Sequence, residues 1–295
     1  MRVLNLGAGV QSTTVALMGV ENWHYWHCCE PLPFEPVGLI DYAIFADTQE
    51  EPRAVYSHLE WLRAKCAKFF PILVRTAGKL GDDLIKGIPL RNKGPVFEVT
   101  RFVSIPAFLA RVQGQKDGIV PRHCTSDYKV NVIERTIRRE ILGLAPGQRI
   151  PKDSPVTQML GLSYDEAGRI ARVKGRQTEI WRFEFPLFEM EMTRGGCKTW
   201  LAKQKIPHEV PRSACVFCPY HTNSEWRAIK SVPEDWERAL RIDEAIRPGR
   251  RVSAYVHKDC VPLVEADLDD SQTKEAKRGQ EMFGFLQECE GHCGV

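Results

Sequence analysis

Two cysteines with two residues between them, Cys215 and Cys218 in the sequence CVFCP, are the sharpest chemical signal in the chain. A compact turn of this kind can hold zinc or an iron–sulfur cluster, or act as a redox pair. A redox pair usually begins a helix inside a β-α-β unit, whereas an all-helical pattern follows here. A metal needs further ligands, and five other cysteines are candidates: Cys124, Cys197, Cys260, Cys289 and Cys293.

A second signal is the glycine-containing stretch LNLGAGVQSTT near the beginning of the chain. A short apolar strand leads into Gly7, Ala8 and Gly9, and a polar cluster then opens a helix. Such a unit presents backbone N–H groups and a helix N-terminus to an anion. It lacks the lysine of a Walker P-loop and the third glycine of a dinucleotide loop. The stretch therefore predicts a phosphate-binding loop of another kind.

Strands and helices alternate around these residues. Residues 2–6 are predicted to form the first strand, and residues 39–48 are a near-continuous apolar run, typical of a central parallel strand buried on both faces. Further strands are expected at 70–76 and 155–163, and helices at 11–20, 50–69, 125–143, 164–172 and 193–207. The alternation predicts an α/β fold with a doubly wound, Rossmann-like parallel sheet.

Two regions are expected: a nucleotide-binding domain over residues 1–208 and a helical region over 209–295 with two Trp-containing helices. The cysteine pattern indicates that the two regions share a site. The aromatic segment 21–38 has no clear period and is expected to be an irregular, packed insertion. The basic segment 86–101 is expected to be a solvated loop, with contact to a polyanion as the alternative.

Composition narrows the class of protein. The chain has 295 residues and a net charge of +3, which permits a nucleic-acid partner without requiring one. A signal-peptide pattern is absent, and no run approaches ~18 apolar residues, so we expect a cytoplasmic protein without a membrane span. Ten cysteines in a reducing compartment are typical of metal binding or catalysis.

The glycine loop resembles the pyrophosphate-binding loop of the PP-loop ATP pyrophosphatases, the adenine nucleotide alpha hydrolase-like superfamily. The likeness is to the branch related to phosphoadenosine phosphosulfate reductases, of phage and bacterial type. Laid on the usual form SGGxDS, the loop has Gly7 for the first Ser, Ala8 and Gly9 for the glycines, Gln11 for Asp, and Ser12 retained. The resemblance implies that these residues and Thr13 bind the phosphates of an adenine nucleotide.

Two further motifs follow in the family's order. FADTQEE resembles the family's second element, which implies that Asp47 and Thr48 contact the nucleotide or its Mg²⁺. PRHCTSDYK resembles the family's Arg-x-Cys-x-x-x-x-Lys segment, which implies that Arg122 and Lys129 contact phosphates or a sulfonucleotide.

A fourth motif, LGLSYDEAGRI, resembles the family's Gly-x-x-x-x-Glu-x-x-Arg element. It implies that Gly161 and Arg169 lie beside the nucleotide. The four motifs together cover roughly residues 3–170. On this resemblance the expected catalytic residues are Ser12, Asp47 and Cys124.

The resemblance also favours a [4Fe–4S] cluster held by Cys124, Cys215 and Cys218. Cys197 is the candidate for a fourth ligand. The alternative is a structural Zn²⁺ site with four cysteine ligands, which could include the two cysteines at the end of the chain. The third interpretation is that these cysteines bind no metal.

The function implied is sulfur transfer dependent on ATP and Mg²⁺. A carbonyl oxygen of the acceptor attacks the α-phosphate, pyrophosphate leaves, and the activated carbon takes up sulfur. A tRNA base, a DNA base or backbone and a small metabolite all fit as acceptor, and a sulfur-donor protein and a homodimer stay open as partners. The alternatives are a phosphoadenosine or adenosine phosphosulfate reductase, a zinc-containing amide- or nitrile-forming ligase, and a non-catalytic nucleotide-binding module.

Overall fold

The computed structural model describes residues 1–28, 30–86, 88–89, 100–101, 105–111, 116–120, 122–153, 155–247 and 252–269. In chain order the strands are β1 (Arg2–Leu6), β2 (Tyr42–Asp47), β3 (Ile72–Thr76), β4 (Ile88–Pro89), β5 (Thr100–Arg101), β6 (Phe108–Arg111), β7 (Lys116–Ile119), β8 (Val156–Leu160), β9 (Trp181–Glu184) and β10 (Val252–Tyr255). The helices are α1 (Val10–His27), α2 (Arg53–Cys66), α3 (Leu80–Lys86), α4 (Asn131–Thr136), α5 (Ala167–Lys174), α6 (Pro186–Glu189), α7 (Arg194–Leu201), α8 (Asn223–Lys230) and α9 (Pro233–Ile246).

The central sheet has five parallel strands in the order β3-β2-β1-β8-β9. This confirms the predicted α/β class with a parallel sheet. The chain runs outward from β1 to β3 and then returns to the other side of β1 with β8. The order of the strands therefore reverses between β1 and β8, and in open parallel sheets a crevice forms at such a point, outside the carboxyl ends of the strands.

Helices cover both faces of this sheet, which is why most side chains of its inner strands are apolar. Leu4 and Leu6 of β1 pack with Met18 of α1 in one apolar cluster. Val3 of the same strand packs with Ile133 of α4 in another. Successive residues of a strand point to opposite faces, so β1 has to be buried on both sides.

The aromatic segment after residue 20 differs from the expectation. α1 does not end near Val20 but continues to His27, so the first part of 21–38 is helical. The side chains of Tyr25 and Trp26 are 40% and 57% exposed, not packed. Neither Pro nor Gly occurs between Gly19 and Pro31, so the sequence contains no residue that would stop the helix earlier.

Two other expectations also need correction. The helix expected at 125–143 begins at residue 124 and ends at 141, with α4 as its central part, so Thr125 lies inside it, and Gly143 with φ +62° follows its end. Strand β9 has no counterpart among the expected strands. It is short and lies at the sheet edge, where an apolar run is not required.

The region after residue 208 is tied to the region before it. The two Trp-containing helices form as expected, and β10 pairs antiparallel with β6. One apolar cluster joins Leu80 and Ile105 to Val216 and Trp226. The basic segment 86–101 lies mostly outside the described residues. In the part of the chain that is described, no helix is long and apolar enough to cross a membrane.

Candidate functional site

The predicted phosphate-binding loop connects β1 to α1. Gly7, Ala8 and Gly9 are buried, and Ala8 has a left-handed backbone with φ +59°. Gly9 precedes the helix without a side-chain cap, and the Gly7 N–H donates to Ser12 Oγ at 3.2 Å. The loop residues line none of the cavities described below; Val10, the first residue of α1, does.

Gln11 connects the first turn of α1 to the turn after β8. Its Nε2 donates to Ser163 Oγ at 2.7 Å and to Glu166 Oε2. The other Glu166 oxygen accepts from Arg169 Nη1. Ser163, Glu166 and Arg169 lie on the far side of the crevice between β1 and β8, in the segment that follows β8 and Gly161. Arg169 is thus the charge partner of Glu166.

Thr13 connects the same turn to α2 and to the segment before the cysteines. Its Oγ1 lies 2.9 Å from His58 Nε2, and His58 Nδ1 lies 2.8 Å from His208 Nε2. His58 is fully buried and stacks on Trp61. Burial, and then the proximity of His208, lower the pKa of His58 to about 4, so its imidazole is neutral near pH 7.

At the carboxyl end of β2, Asp47 Oδ1 accepts from the Gln49 N–H at 2.7 Å and from the Tyr56 hydroxyl at 2.9 Å. Thr48 is buried, and its Oγ1 lies 3.2 Å from Cys215 Sγ. The second predicted motif therefore meets the C-x-x-C turn directly. This contact joins the end of a sheet strand to the region after residue 208.

Two buried carboxylates follow Thr48. Glu51 pairs with Lys129 Nζ at 3.3 Å and accepts from Ser213 Oγ at 3.3 Å. Glu50 pairs with Arg238 Nη1 at 3.1 Å, and burial raises the pKa of this carboxyl despite that guanidinium. Each acid joins the end of β2 to an element that is distant in sequence.

Cys124, Cys215 and Cys218 line one cavity of about 30 Å³. Arg122 and Lys129 line the same cavity. Five residues predicted to be functional, from positions almost a hundred residues apart, thus meet at one place. The remaining wall comes from Thr48, Leu80, Ile105, Pro106, Ala214, Phe217 and Pro219.

Burial raises the pKa of the Cys215 thiol well above its usual value, and the Glu51 carboxylate acts in the same direction. The Lys129 ammonium and the Thr48 hydroxyl act in the opposite direction. Without a metal, Cys215 is therefore a protonated thiol at neutral pH. Among the described residues, no three His, Cys, Asp or Glu side chains surround a point where one metal ion could bind.

The structure does not bring Cys197 to this cavity. Cys197 lies in α7 and is fully buried in the apolar cluster of β1 and α1. Its position in the helix explains this, because the side chain falls on the face that packs on the sheet. Cys260 also lies elsewhere, with Sγ 3.9 Å from the Leu109 carbonyl. Cys289 and Cys293 lie outside the described residues.

A larger cavity of about 560 Å³ opens at the N-terminus of α1. Val10, Arg194, Lys198 and Arg212 line it, with apolar residues of α8 on another side. A second cavity of about 270 Å³ shares Val10 and Lys198 with it and continues along α7 past His208. The sequence motifs did not point to these three cations, because none of them stands in a segment that resembles a phosphate-binding element.

His221 links the large cavity to the cysteine turn. Its ring lines the 560 Å³ cavity, and its Nε2 lies 2.9 Å from the Cys215 carbonyl oxygen. Burial lowers the pKa of His221. Arg212 and Glu225 pair next to it, and Glu225 also closes a capping box with Thr222 at the start of α8. The cysteine turn is thus held from the side of the large cavity.

Fold and site together define an α/β protein with a three-cysteine cavity at the carboxyl side of a parallel sheet. Beside that cavity lies a larger one at a helix N-terminus, lined by Arg194, Lys198 and Arg212 and also by three carboxylates, Glu209, Glu225 and Asp235. Comparison with protein families, with curated proteins and with solved structures found no match.

Proposed function

We propose that this chain is an adenine nucleotide-binding enzyme of the PP-loop type that transfers sulfur with the help of a cysteine-held [4Fe–4S] cluster. The observation that carries the proposal is the meeting of Cys124, Cys215 and Cys218 with Arg122 and Lys129 around one cavity. Thiols bind iron in such clusters, and cations offset the negative charge that thiolates and sulfide bring.

The donor set fits such a cluster, since each thiol can bind a different iron atom. The cavity as described has room for one or two water molecules. A cluster is larger than this space, so loading it requires the cavity to widen. A bound cluster would supply iron that can bind sulfide. Zn²⁺ is the alternative occupant that the experiment below separates.

The 560 Å³ cavity is the proposed place of the nucleotide, since its volume suits a ligand of that size. The N-terminus of α1 and the side chains of Arg194, Lys198 and Arg212 would stabilise the polyphosphate. This differs from the expectation for Arg122 and Lys129, which line the cysteine cavity. Asp47, at the carboxyl end of β2, is the proposed ligand of Mg²⁺.

In the proposed reaction a carbonyl oxygen of the acceptor attacks the α-phosphorus, the bond to the β-phosphate oxygen breaks, and pyrophosphate leaves. Hydrosulfide, delivered by a sulfur donor, then attacks the activated carbon. AMP leaves, and the proton of the hydrosulfide goes to solvent. The chain contributes positioning and fixed positive charge, which stabilise the leaving pyrophosphate.

Anaerobic purification followed by iron, zinc and acid-labile sulfide analysis tests the metal part. We expect iron and sulfide with absorbance near ~400 nm. Cys124→Ser and Cys215→Ser should lose the iron, whereas Cys197→Ser and the exposed control Cys28→Ser should keep it. A colourless protein with stoichiometric zinc would contradict the cluster.

The acceptor is proposed to be a nucleobase of tRNA or DNA, and mass spectrometry of co-purifying nucleic acid for thiolated nucleosides tests this. Reduction of a sulfonucleotide is the second candidate, favoured by the two cations beside the thiols. Release of pyrophosphate from ATP supports sulfur transfer, and release of sulfite from a sulfonucleotide supports the reductase. Release of neither from any of these substrates would overturn both.

A further inference from the structure

The Gln11 carboxamide is buried between the first turn of α1 and the turn after β8. Gln11 is 1% exposed and Glu166 9% exposed. Gln11 donates to Ser163 Oγ and to the Glu166 carboxylate, so both side chains are held in one arrangement. A buried amide that donates to a carboxylate is costly to remove, because the carboxylate then loses a donor that water cannot replace.

The Glu166 carboxylate has donors on both of its oxygens. Oε2 also accepts from the Ser163 N–H and the Ser163 hydroxyl, each at 3.2 Å, as part of a capping box. Oε1 accepts from Arg169 Nη1, whose guanidinium is likewise buried. The Glu166 carboxylate is thus held by charge-assisted hydrogen bonds on both of its oxygens.

This arrangement constrains position 11. A carboxylate there, of similar size to the carboxamide, would stand within hydrogen-bond distance of Glu166 in a buried environment. Two carboxylates at that distance cannot both remain ionised, and one must take up a proton or move away. A neutral donor at position 11 is therefore the electrostatic complement of Glu166.

We propose that Glu166 is a positioning residue that acts through Gln11 on the first turn of α1. It fixes the N–H groups of residues 8–12, of which Val10 lines the 560 Å³ cavity. Arg169 serves in this unit as the counter-charge of Glu166. The statement that these N–H groups bind nucleotide phosphate rests on the proposed function; the coupling of Glu166 to the loop does not.

A charge exchange tests the coupling. The variants are Gln11→Glu, Glu166→Gln and the double variant, with Gln177→Glu and Glu179→Gln as controls on an exposed loop. Hydrogen exchange of residues 8–12 is measured without nucleotide, and the binding of ATP is measured separately by calorimetry.

We expect Gln11→Glu to speed exchange of residues 8–12 by about 10-fold or more, since like charges shift a buried site by at least about one pKa unit. The same variant should weaken ATP binding by a similar factor. The double variant should return both quantities to within about 3-fold of the wild type. The control variants should change neither.

A purely structural role would change exchange throughout the molecule, whereas positioning changes it at residues 8–12. Equal exchange in Gln11→Glu and wild type, or a double variant no better than the single ones, would overturn the proposal. If Gln11→Glu does not fold, Gln11→Met, which removes the donor without adding charge, must still speed exchange at residues 8–12. A wild type that binds no adenine nucleotide would contradict the proposed function, while the exchange cycle would still decide the coupling.

Discussion

The protonation of the buried His58 depends on folding. Its pKa is lowered to about 4, whereas an unfolded histidine titrates near its ordinary value. The unfolded chain therefore binds more protons between these two values. Stability contributed by neutral His58 is present above the unfolded pKa and is lost as pH falls towards the folded pKa.

We expect His58→Gln to remove this part of the pH dependence. Wild-type unfolding free energy should fall by on the order of 3 kcal/mol more than that of the variant between pH 7 and pH 4. Urea denaturation at the two pH values measures the difference. The control His27→Gln, at an exposed position, should behave as the wild type. Parallel pH profiles of His58→Gln and wild type would contradict the assignment.

Ala8 has a backbone conformation that suits glycine, with φ +59°. A Cβ in that region costs roughly 1 to 2 kcal/mol. Glycine removes this cost, but it also raises the conformational entropy of the unfolded chain, which offsets part of the gain in stability. Ala8→Gly should therefore raise the unfolding free energy by about 0.5 to 1 kcal/mol. Thermal unfolding checks this, and Ala8→Val should lower the midpoint. A lower midpoint for Ala8→Gly would mean that the loop is not strained.

At the level of elements, Arg238 of α9 forms hydrogen bonds that hold the turn after β2 in place. Its guanidinium donates to Glu50 Oε2 at 3.1 Å, to the Glu51 carbonyl at 3.0 Å and to Asp235 Oδ1 at 2.8 Å. The Gly81 N–H at the start of α3 donates to the other Glu50 oxygen at 3.2 Å. A Cβ at Gly81 would lie 2.2 Å from that oxygen, so only glycine allows this approach.

We expect Arg238→Met to destabilise the fold by about 3 kcal/mol at pH 7, because Glu50 is left as a buried charge without its partner. The loss should be smaller at pH 5. The pKa of Glu50 is already raised by burial, and removal of the guanidinium raises it further, so the folded variant takes up a proton first. Chemical denaturation at both pH values measures this.

Arg241→Met is the matched control for this prediction. Arg241 lies on the same helix and pairs with Asp82 at 2.8 Å, but both side chains are well exposed. Exposed pairs contribute about 0 to 1 kcal/mol, so little change is expected. Equal losses in the two variants at both pH values would show that burial of Glu50 is not the cause.

At the level of the whole molecule, the regions before and after residue 208 depend on each other. They share the apolar cluster of Leu80, Ile105, Val216 and Trp226. The Val216 N–H also donates to the Glu50 carbonyl at 2.7 Å. Separation would expose apolar side chains from both regions and leave Glu50 without Arg238.

We therefore predict that a chain of residues 1–208 does not fold as a cooperative unit. Near-ultraviolet circular dichroism and hydrogen exchange should show loss of fixed packing, with α3 exchanging rapidly. The full-length chain with Trp226→Ala is the milder variant, and removal of so large a buried side chain should cost about 3 to 5 kcal/mol. A sharp unfolding transition of residues 1–208 near the full-length midpoint would contradict the dependence.

The amino-acid sequence determined the α/β class with a parallel sheet, because an inner strand such as β2 has to be largely apolar when both of its faces are buried. Spacing linked Cys215 to Cys218, and the resemblance predicted Cys124 with them; the structure brings the three to one cavity. These features depend on the types of residue and on their spacing along the chain, which the sequence contains directly.

Only the tertiary structure decided which long-range partner each group meets. Cys197 and Cys215 have the same chemistry, yet α7 buries the first in the sheet core, whereas the turn before α8 places the second beside Thr48. The sequence likewise showed that Gln11 stands where the loop that it resembles has Asp, but it could not show that Gln11 faces Glu166. Such pairings depend on how elements pack across a hundred residues or more, and the pattern within each element does not specify them.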